Sequence, residues 1–590
     1  MMDALTASVL DRIAAHLGVA STTLRGLLAP PAKGVAADIA LPCFQPAKAA
    51  GKPPPALAAE LVQVVGAAGL GVEAAAVGPF LNLTFAPAAV AQALLAPLVA
   101  GPAALRSATG SGRIAAIDFS SPNIAKHLAF HHIRSTMLGS SLSRLYAAAG
   151  WRVVRINFLG DWGTAFGRLI SGWRREGLTL AQLDAAPDRV TFLNDLYVRA
   201  SQAAKADPAL EEDARLWSKR LEDGDAEARR LWSIFKDASL AEFRRVYALL
   251  GVDFDSWKGE AHYEGQMAPI LAELDAKGLT TIDQGATVVD LPARLGKAFK
   301  KPALLKRADG GTLYATRDLA ACDDRHREFA FDRALYVVDL GQSLHFQEWF
   351  AIARLLGRPY AEHLRHVGFG VVLLWNDEPG EGLQPGWAKG RTRNGRIMLL
   401  REVLDEAIER ASAVIAEKNP ELPPDERAQV ARMVGVGAVV FNDLRSGRTN
   451  DVKFRFEDAL RFDGETGPYL QYAHARLRSI ERKAGDADAA ADPARLARED
   501  EKQVLLAIAR LTTALERAVE ADEPSIMAQA LLVLAGAVSS WLTAGNRDPS
   551  ARVLGDDPAV TAARLALVRA ARLHLGEGLR LLGLGAPERM

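Results

Sequence analysis

The spacing of hydrophobic and polar positions changes twice along the chain, and these changes divide it into three regions. Residues 1–108 mix helical spacing with short strand-like runs such as GPFLNLTF at 78–85, where alternate positions are apolar. This pattern predicts a small α/β domain over 1–108. A Gly/Ser-rich stretch at 107–113 then separates it from the next region.

The second region, 109–395, has the pattern of a parallel sheet. IAAIDFS, beginning at Ile114, is a continuous apolar run of the kind buried on both faces of such a sheet, and RVVRINFLG at 152–160 is also strand-like. Between them, Ser121 and Pro122 have the character of a helix N-cap and a first-turn proline, so the spacing predicts a helix that starts at Pro122 and ends at a glycine. These elements form a predicted β-α-β unit.

The rest of the chain is dominated by helical spacing. A charged stretch at about 175–260 predicts a helical insertion between two halves of the sheet, which resumes with buried strands at 333–341 and 366–375. Over 396–590 apolar residues recur every three or four positions, which predicts a helical bundle.

The composition is that of a soluble multidomain chain, and its zero net charge gives no strong overall electrostatic field. The 590 residues include 71 basic and 71 acidic side chains, so contact with nucleic acid has to come from local patches. Cys43 and Cys322 lack CxxC spacing, which argues against a disulfide framework or a thiolate zinc site. With no basic amino-terminal leader and no long apolar run, we expect a cytoplasmic protein that contacts no membrane.

The stretch SSPNIAKHLAFHHIRST holds three histidines at the predicted edge of the sheet, where ligands of such folds bind. His127 and His131 share a face of the predicted helix, and His132 follows. A metal site would need further ligands, and HExxH, GxGxxG and the P-loop motif are absent. Polar groups on a helix face and nucleotide contacts both remain open from spacing alone.

Two further stretches carry candidate chemistry. Tyr314 and Asp318 are four residues apart, so a helical turn would place a phenol and a carboxylate on one side, a pairing that suits a guanidinium. Asp318 is equally suited to bonding the adjacent Arg317 or capping a helix. WAKGRTRNG at 387–395 is a basic Gly-rich loop able to clamp polyphosphate, or simply a solvated turn.

Taken in order, these stretches resemble the class I aminoacyl-tRNA synthetases, and among them the arginyl-tRNA synthetases. The matching stretches are LPCFQPAKAAGKPPPALAAELV, IDFSSPNIAK, HIRST, INFLGDWGTAFG, LYATRDLAA, YVVDLGQSLHFQ, HVGFGVVL, RTNDVKFRFEDAL, GPYLQYAHARLRSI and LGLGAPERM. The resemblance implies a fold class of α/β plus all-α. It comprises a Rossmann-like catalytic domain with a helical insertion, an additional tRNA-binding-like amino-terminal α/β domain and a carboxyl-terminal helical anticodon-binding domain.

The resemblance also implies an arginine pocket. It assigns the amino-acid head group to Asn123, the guanidinium to Tyr314 and Asp318, and a further substrate contact to Gln342. Asp118 stands where the family usually has glutamate, so this contact is expected to be longer or to pass through water. Arginine recognition is therefore expected.

The ATP side departs from the family pattern. Counted back from Arg134, the signature of two histidines bracketing an apolar residue and a glycine falls on Ala129, Phe130, His131 and His132, and only His132 matches. A missing phosphate donor of this kind typically costs about 10²–10³ in rate. An imidazole at position 131 would also project into the space where adenine lies. A rescue would need His131, or a nearby histidine on an irregular turn, to supply the contact.

The residue roles implied by the resemblance extend to three substrates. The catalytic residues are Lys126, His132, Lys389, Arg391 and Arg393; the ATP contacts are Ala129, His131, His132, Gly368 and Phe369; the tRNA contacts are Tyr469, Gln471, Tyr472, His474 and Arg478. The tRNA set supplies stacking surfaces and phosphate donors, although YLQYAHARL also has the pattern of a helix with a buried aromatic stripe. No resident metal is implied.

Two functions follow from this reading. The first is an arginine–tRNA ligase that uses L-arginine, ATP with Mg²⁺ and tRNA(Arg), acting as a monomer. The alternative is a synthetase-derived paralogue that keeps arginine binding, and perhaps tRNA binding, but has lost or altered adenylation. Such a paralogue would act as an arginine sensor or would transfer arginine to another acceptor.

Overall fold

The computed structural model describes residues 2–68, 71–101, 105–307, 314–376, 386–389, 398–485 and 491–590. The strands are β1 (Ile39–Pro42), β2 (Val72–Val77), β3 (Phe80–Phe85), β4 (Ile114–Asp118), β5 (Arg152–Ile156), β6 (Thr281–Asp283), β7 (Ala286–Val289), β8 (Ala303–Lys306), β9 (Arg333–Tyr336), β10 (Leu364–His366), β11 (Val372–Asn376), β12 (Gly386–Lys389) and β13 (Val452–Phe454).

Helices make up most of the remainder. They are α1 (Met2–Leu17), α2 (Ser21–Arg25), α3 (Phe44–Ala49), α4 (Pro54–Gly66), α5 (Pro87–Val99), α6 (His132–Ala148), α7 (Thr164–Arg175), α8 (Leu180–Ala185), α9 (Arg189–Ala206), α10 (Pro208–Glu222), α11 (Ala226–Leu250), α12 (Met267–Ala276), α13 (Leu291–Leu295), α14 (Tyr314–Phe329), α15 (Ser343–Leu356), α16 (Leu400–Lys418), α17 (Pro424–Leu444), α18 (Phe456–Ala459), α19 (Gly467–Ala484), α20 (Glu499–Glu520), α21 (Ser525–Arg547) and α22 (Pro558–Leu582).

The amino-terminal region is a three-stranded antiparallel sheet in the order β1-β3-β2 with helices packed on it. The strand predicted at 78–85 is β3, which occupies the middle of the sheet. Its side chains Leu81 and Leu83 are fully buried. Apolar burial on this strand therefore supplies the core that the alternating pattern indicated.

The central sheet is parallel, in the order β10-β9-β4-β5. Asp118 at the end of β4 is in register with Ile156 on one neighbour and Tyr336 on the other, so the carboxyl ends of these strands form one edge. Helices α8 to α11 occupy the chain between β5 and β9, where the charged stretch predicts helices. The predicted fold class, α/β plus all-α, is confirmed.

The helix expected to begin at Pro122 begins instead at His132, and this prediction is wrong by about ten residues. The intervening backbone is used for tertiary hydrogen bonds: Gly160 donates to the Pro122 carbonyl and Ile124 donates to the Gly160 carbonyl, both at 3.1 Å. Ala125 adopts a φ of 61°, which a right-handed helix does not allow. The spacing argument that put His127 on a helical face therefore fails.

Two small sheets lie outside the parallel sheet. One is the antiparallel group β6-β7-β8, which escaped the sequence pattern because its strands have only three or four residues; the other has the order β12-β11-β13. The single strand predicted over 366–375 is two strands, because β10 ends at His366 in the parallel sheet whereas β11 belongs to the second small sheet. In the second sheet, β13 returns from the carboxyl-terminal region and pairs in parallel with β11. That pairing ties the chain near residue 452 to the catalytic region.

Helices α16, α17 and α19 to α22 form the predicted carboxyl-terminal bundle. Among the described helices, α21 is the one long and apolar enough to cross a membrane, judged by length and composition. It packs against α20 and α22, and its side chains Leu531, Leu534 and Trp541 are fully buried. These contacts are those of a bundle helix.

Candidate active site

Four loops meet at the carboxyl edge of the parallel sheet, following β4, β5, β9 and β10. This is where ligands bind in open parallel sheets, because the loops diverge there and leave a crevice. The loop after β4 carries the histidine-rich stretch, which we call the signature segment (residues 120–132). The loops after β9 and β10 carry Gln342, Gly368 and Phe369.

The signature segment is held by backbone pairing with the chain that enters α16. Phe130 donates to the carbonyl of Met398 at 2.9 Å, and Leu400 donates to the carbonyl of Leu128 at 2.8 Å. The basic loop at 387–395 ends just before this point.

His132 is a neutral imidazole held by the backbone of its own turn. Its Nδ1 lies 3.0 Å from the amide nitrogen and 3.1 Å from the carbonyl oxygen of Ala129. Burial, with a smaller contribution from the nearby His131, lowers the pKa of His132 to about 4, so the imidazole is neutral at physiological pH. In the tautomer whose Nδ1 accepts from the Ala129 amide, the proton is on Nε2, which is then a hydrogen-bond donor.

The ring of His131 does not project alone from the start of α6. Its ring stacks on that of His132 with centroids 4.2 Å apart and planes 29° apart, while its residue remains exposed. Burial of part of the ring lowers the pKa of His131, so it too is neutral. The pair presents one imidazole face to the crevice.

Lys126 and His127 point toward the helical insertion. Nε2 of His127 lies 2.8 Å from Oγ1 of Thr191, at the start of α9. The ammonium of Lys126 lies 5.5 Å from the ring centre of Tyr197, on the same helix. His127 is thus engaged elsewhere and does not supply the missing phosphate contact in this conformation.

The start of α14 places Asp318 at the crevice. Tyr314 is the first residue of this helix, so the predicted helical turn that relates it to Asp318 is present; the Tyr314 side chain lies outside the described part of the molecule. Asp318 has a histidine as a partner. Its Oδ2 lies 2.6 Å from Nε2 of His345, which fixes the carboxylate while leaving it partly exposed.

Glu260 is a second carboxylate at the same place, and the sequence analysis missed it. It pairs with Arg317 at 3.1 Å, and burial raises its pKa to about 7, with the charge of Asp318 adding to the rise. Within the described structure, the guanidinium of Arg317 is thus a partner of the Glu260 carboxylate. A WKGEAHY segment between an insertion helix and a short helix gives no periodic signal that marks Glu260.

Asp118 is buried beneath the crevice, with an internal arginine as its partner. Its Oδ2 lies 2.8 Å from Nη2 of Arg325, and its Oδ1 accepts from Oγ of Ser121 at 2.8 Å. Both carboxylate oxygens are therefore engaged within the protein. The expected substrate contact at Asp118 stays a prediction, and the side chain ends at Arg325 and Ser121 in this structure.

Asn123 and Gln342 are exposed at the rim of the crevice. Gly160 leaves room for Asn123: a Cβ at that glycine would lie 2.0 Å from Oδ1 of Asn123. Gln342 ends the turn of 3₁₀ helix after β9. Their expected contacts with the amino-acid head group stay predictions.

Gly368 and Phe369 lie across the crevice from the signature segment, in the loop after β10. The Phe369 ring is buried, and its carbonyl accepts from the Leu340 amide at 3.0 Å. Of the three cations of the basic loop, Lys389 is described by its backbone, at the end of β12, whereas Arg391 and Arg393 lie outside the described residues. Their roles stay predictions from the sequence.

Two of the five expected tRNA contacts are buried in the bundle. Nε2 of Gln471 donates to the carbonyls of Met433 and Gly585, both at 2.9 Å. Nδ1 of His474 lies 2.9 Å from the carbonyl of Pro587. Both side chains anchor the carboxyl-terminal tail, so neither is presented to an RNA ligand here.

The other three are nearer the surface. Tyr472 is 42% exposed, and Tyr469 is half-buried. Nη1 of Arg478 lies 3.1 Å from Glu481, and its Nε lies 3.0 Å from Glu588. Tyr472 is therefore the more exposed aromatic side chain of this set, with the guanidinium of Arg476 5.8 Å from its ring centre.

Family models match three successive parts of the chain. Residues 4–85 match the model described as the arginyl-tRNA synthetase N-terminal domain, 96–456 the class I tRNA synthetase (R) catalytic domain, and 470–590 the DALR anticodon-binding domain. The unmatched stretches between these three ranges are too short to form a further domain. The matches follow the order of the three regions described above.

Similar proteins carry one activity in their names. An arginine–tRNA ligase of Exiguobacterium sibiricum is 41% identical over 94% of this chain and 93% of its own. One from Streptococcus equi is 40% identical over 96% of both chains. The solved arginyl-tRNA synthetase of Thermus thermophilus superposes with a TM-score of 0.78 at 28% identity, covering 95% of this chain and 96% of its own.

Proposed function

The chain belongs to the arginyl-tRNA synthetase family, and from that premise we propose which of its residues carry each step of the reaction. It is an arginine–tRNA ligase. The arginine carboxylate attacks the α-phosphorus of ATP, pyrophosphate leaves, and a hydroxyl of the terminal ribose of tRNA then takes the arginyl group from AMP. The activity of the relatives supports this function over a paralogue acting as an arginine sensor or transferase.

Asp318 and Glu260 bind the guanidinium in this proposal, with Tyr314 beside them. Two carboxylates fixed by neighbouring groups suit a planar fork that donates several hydrogen bonds, which an ammonium cannot match. Asn123 and Gln342 bind the amino-acid head group at the rim. The approach of Asp318 and Glu260 at one edge of the sheet is the observation that carries this assignment.

His132 donates from Nε2 to the phosphates of ATP, where negative charge develops during the attack. A neutral donor held by the Ala129 amide needs no rearrangement as the charge forms, which is how preorganised groups stabilise a transition state. Gly368 and Phe369 contact the adenine side, and Lys126, Lys389, Arg391 and Arg393 supply positive charge. Mg²⁺ enters with ATP as part of the substrate.

We also propose the remaining properties of the chain. The three domains cover 1–108, 109–395 and 396–590, with the helical insertion at about 175–260. The protein acts as a cytoplasmic monomer, and the bundle surface around Tyr472 meets tRNA(Arg). Sedimentation of the protein with and without tRNA tests the monomer and the complex together.

The direct test is ATP–pyrophosphate exchange with arginine, measured with and without tRNA(Arg). We expect exchange that depends on arginine. Arginine binding by calorimetry without any exchange under either condition would favour the paralogue instead. Aminoacylation of tRNA(Arg), followed by acid-gel separation of charged tRNA, then tests the transfer step.

The double change Ala129→His and His131→Gly makes the signature segment look like the usual family pattern, and we expect it to lower the exchange rate about tenfold. Ala129 is buried, so an imidazole there overpacks the segment, a change that typically costs about 1–3 kcal/mol. Removing the His131 ring also removes the stack on His132. A large gain in exchange would contradict the working arrangement described here; His131→Gly alone is the matched control.

Glu260 makes arginine binding depend on pH. Its raised pKa of about 7 means that the carboxyl is protonated below neutral pH and ionised above it, and only the ionised form pairs with a guanidinium. We therefore expect affinity for arginine to rise about tenfold from pH 6 to pH 8, as a single ionisation near 7 requires. Calorimetry at several pH values measures this.

Two variants separate that effect from general acid sensitivity. Glu260→Gln should bind arginine more weakly at pH 8 and show a flat pH dependence. Glu264→Gln changes a half-buried carboxyl four residues along the same segment and should keep the tenfold rise. A wild-type affinity that is flat between pH 6 and pH 8 would exclude the proposed role.

A further inference from the structure

Arg134 lies beneath the loop that we assign to the adenine side. It is fully buried, two residues after His132 on α6. Its Nη1 donates to the carbonyls of Gly370 and Asn450, both at 2.8 Å, and the centre of its guanidinium is 5.7 Å from the ring centre of Phe369. The Arg134 side chain thus connects α6 with the loop after β10 and with the segment near residue 450.

The charge of Arg134 is balanced by Asp443, near the end of α17. Nε of Arg134 and Oδ1 of Asp443 are 2.8 Å apart, and both side chains are almost completely buried. Nη2 of Arg134 also donates to the carbonyl of Arg448 at 3.2 Å. The ion pair with Asp443 and the three carbonyls that accept from Nη1 and Nη2 together fix the position of this buried guanidinium.

Arg448 holds the same loop from the other end. Its Nη1 donates to the carbonyl of Gly368 at 2.7 Å, and its Nε donates to the carbonyl of Asp522 at 3.1 Å. Its own carbonyl accepts from the amide of Gly370 at 3.0 Å. The loop is therefore connected through Arg448 to the turn between α20 and α21.

The glycines of this loop permit the close approach. A Cβ at Gly370 would lie 2.7 Å from the Asn450 carbonyl oxygen, and one at Gly368 would lie 2.6 Å from Cδ2 of Leu340. Neither contact leaves space for a side chain. The loop backbone is thus packed directly on its supports, and a shift of either arginine has to move it.

We infer that Arg134 and Arg448 are positioning residues. They hold the segment Gly368–Gly370 at the distance from α6 that ATP requires. The inference rests on the proposed assignment of Gly368 and Phe369 to the adenine side. Neither arginine touches ATP. Each acts through the carbonyls of this segment, and arginine recognition at Asp318 does not depend on them.

The test compares Arg134→Lys, Arg448→Lys and Arg445→Lys in ATP–pyrophosphate exchange with tRNA(Arg) present. Lysine keeps the charge, but its single ammonium lacks the planar fork whose separate nitrogens reach carbonyls on different segments. We expect the KM for ATP to rise at least tenfold in Arg134→Lys and about fivefold in Arg448→Lys, with the KM for arginine changed less than twofold. Arg445 also donates to a carbonyl, that of Glu465 at 2.9 Å, but lies off the loop, so its variant should match wild type.

A purely structural role gives a different result. It would lower the melting temperature and the fraction of active enzyme, while both KM values stayed at the wild-type level. Equal rises in the two KM values, or the same rise in Arg445→Lys, would also overturn the inference. If Arg134→Lys does not accumulate as folded protein, Arg448→Lys, whose side chain is only partly buried, decides the outcome alone.

A binding measurement keeps this test separate from the proposed catalytic function. Calorimetric titration with a non-hydrolysable ATP analogue reports nucleotide affinity whether or not adenylation occurs. Weaker analogue binding in both loop variants supports the positioning role even without exchange in the wild type. Unchanged analogue binding in an enzyme that does catalyse exchange overturns the positioning role alone.

Discussion

Asp318→Asn is expected to lower kcat/KM for arginine by about 10²–10³. The substitution preserves the shape of the side chain but leaves the bound guanidinium without its counter-charge, and removing one partner of a buried charge pair typically costs 2–5 kcal/mol or more. His345, which lies 2.6 Å from Oδ2, would also face an amide whose orientation has to change. Exchange kinetics at varied arginine concentration measure the effect.

The choice of substrate separates charge loss from misfolding. Citrulline has the shape of arginine without the charge, so wild type should strongly favour arginine whereas Asp318→Asn should lose most of that preference. Asp324→Asn changes a carboxylate on the same helix that pairs with Lys258 at 3.1 Å, and it should keep the KM for arginine within twofold. Full discrimination against citrulline in Asp318→Asn would remove Asp318 from the guanidinium site.

The second large effect is expected at His132. His132→Ala should lower kcat of the exchange reaction by about 10²–10³ with little change in the KM for arginine, because it removes one preorganised donor to the phosphates. Since burial lowers the pKa of His132 to about 4, the imidazole stays neutral from pH 5.5 to 8. The ratio of wild-type to variant rates should therefore be constant over that range.

His127→Ala is the matched control, because it removes an imidazole from the same segment whose Nε2 bonds Thr191. We expect it to reduce kcat less than threefold. A similar loss in both variants would show that the signature segment responds to any loss of packing. A loss confined to His127→Ala would transfer the phosphate contact to that residue.

The altered signature illustrates where motif comparison alone misleads. By side chains, Ala129 and His131 look unsuited to an ATP site. In the folded chain, Ala129 contributes its amide to Nδ1 of His132, and the ring of His131 stacks on the same imidazole. A sequence motif specifies residue types but not backbone hydrogen bonds or ring stacking. Sequence comparison therefore detects only the missing histidine.

Local sequence determined the elements whose signal is repeated along many residues. The apolar runs at 114–118 and 152–156 are buried parallel strands, the long periodic stretches after 396 are the bundle helices, and the four-residue spacing of Tyr314 and Asp318 is a turn of α14. Each of these depends on a preference that many neighbouring residues share. For such elements, burial and periodicity act in the same direction as the tertiary fold.

Only the tertiary structure decided how the site is assembled. The expected helix at Pro122 is replaced by an irregular segment because Gly160, Met398 and Leu400 satisfy its backbone instead. Asp118 meets Arg325 while Glu260 reaches the crevice, and both outcomes depend on residues distant in sequence. Hydrogen bonds and ion pairs between remote segments form only once the chain is folded. The residues next to each partner in the sequence therefore do not predict these contacts.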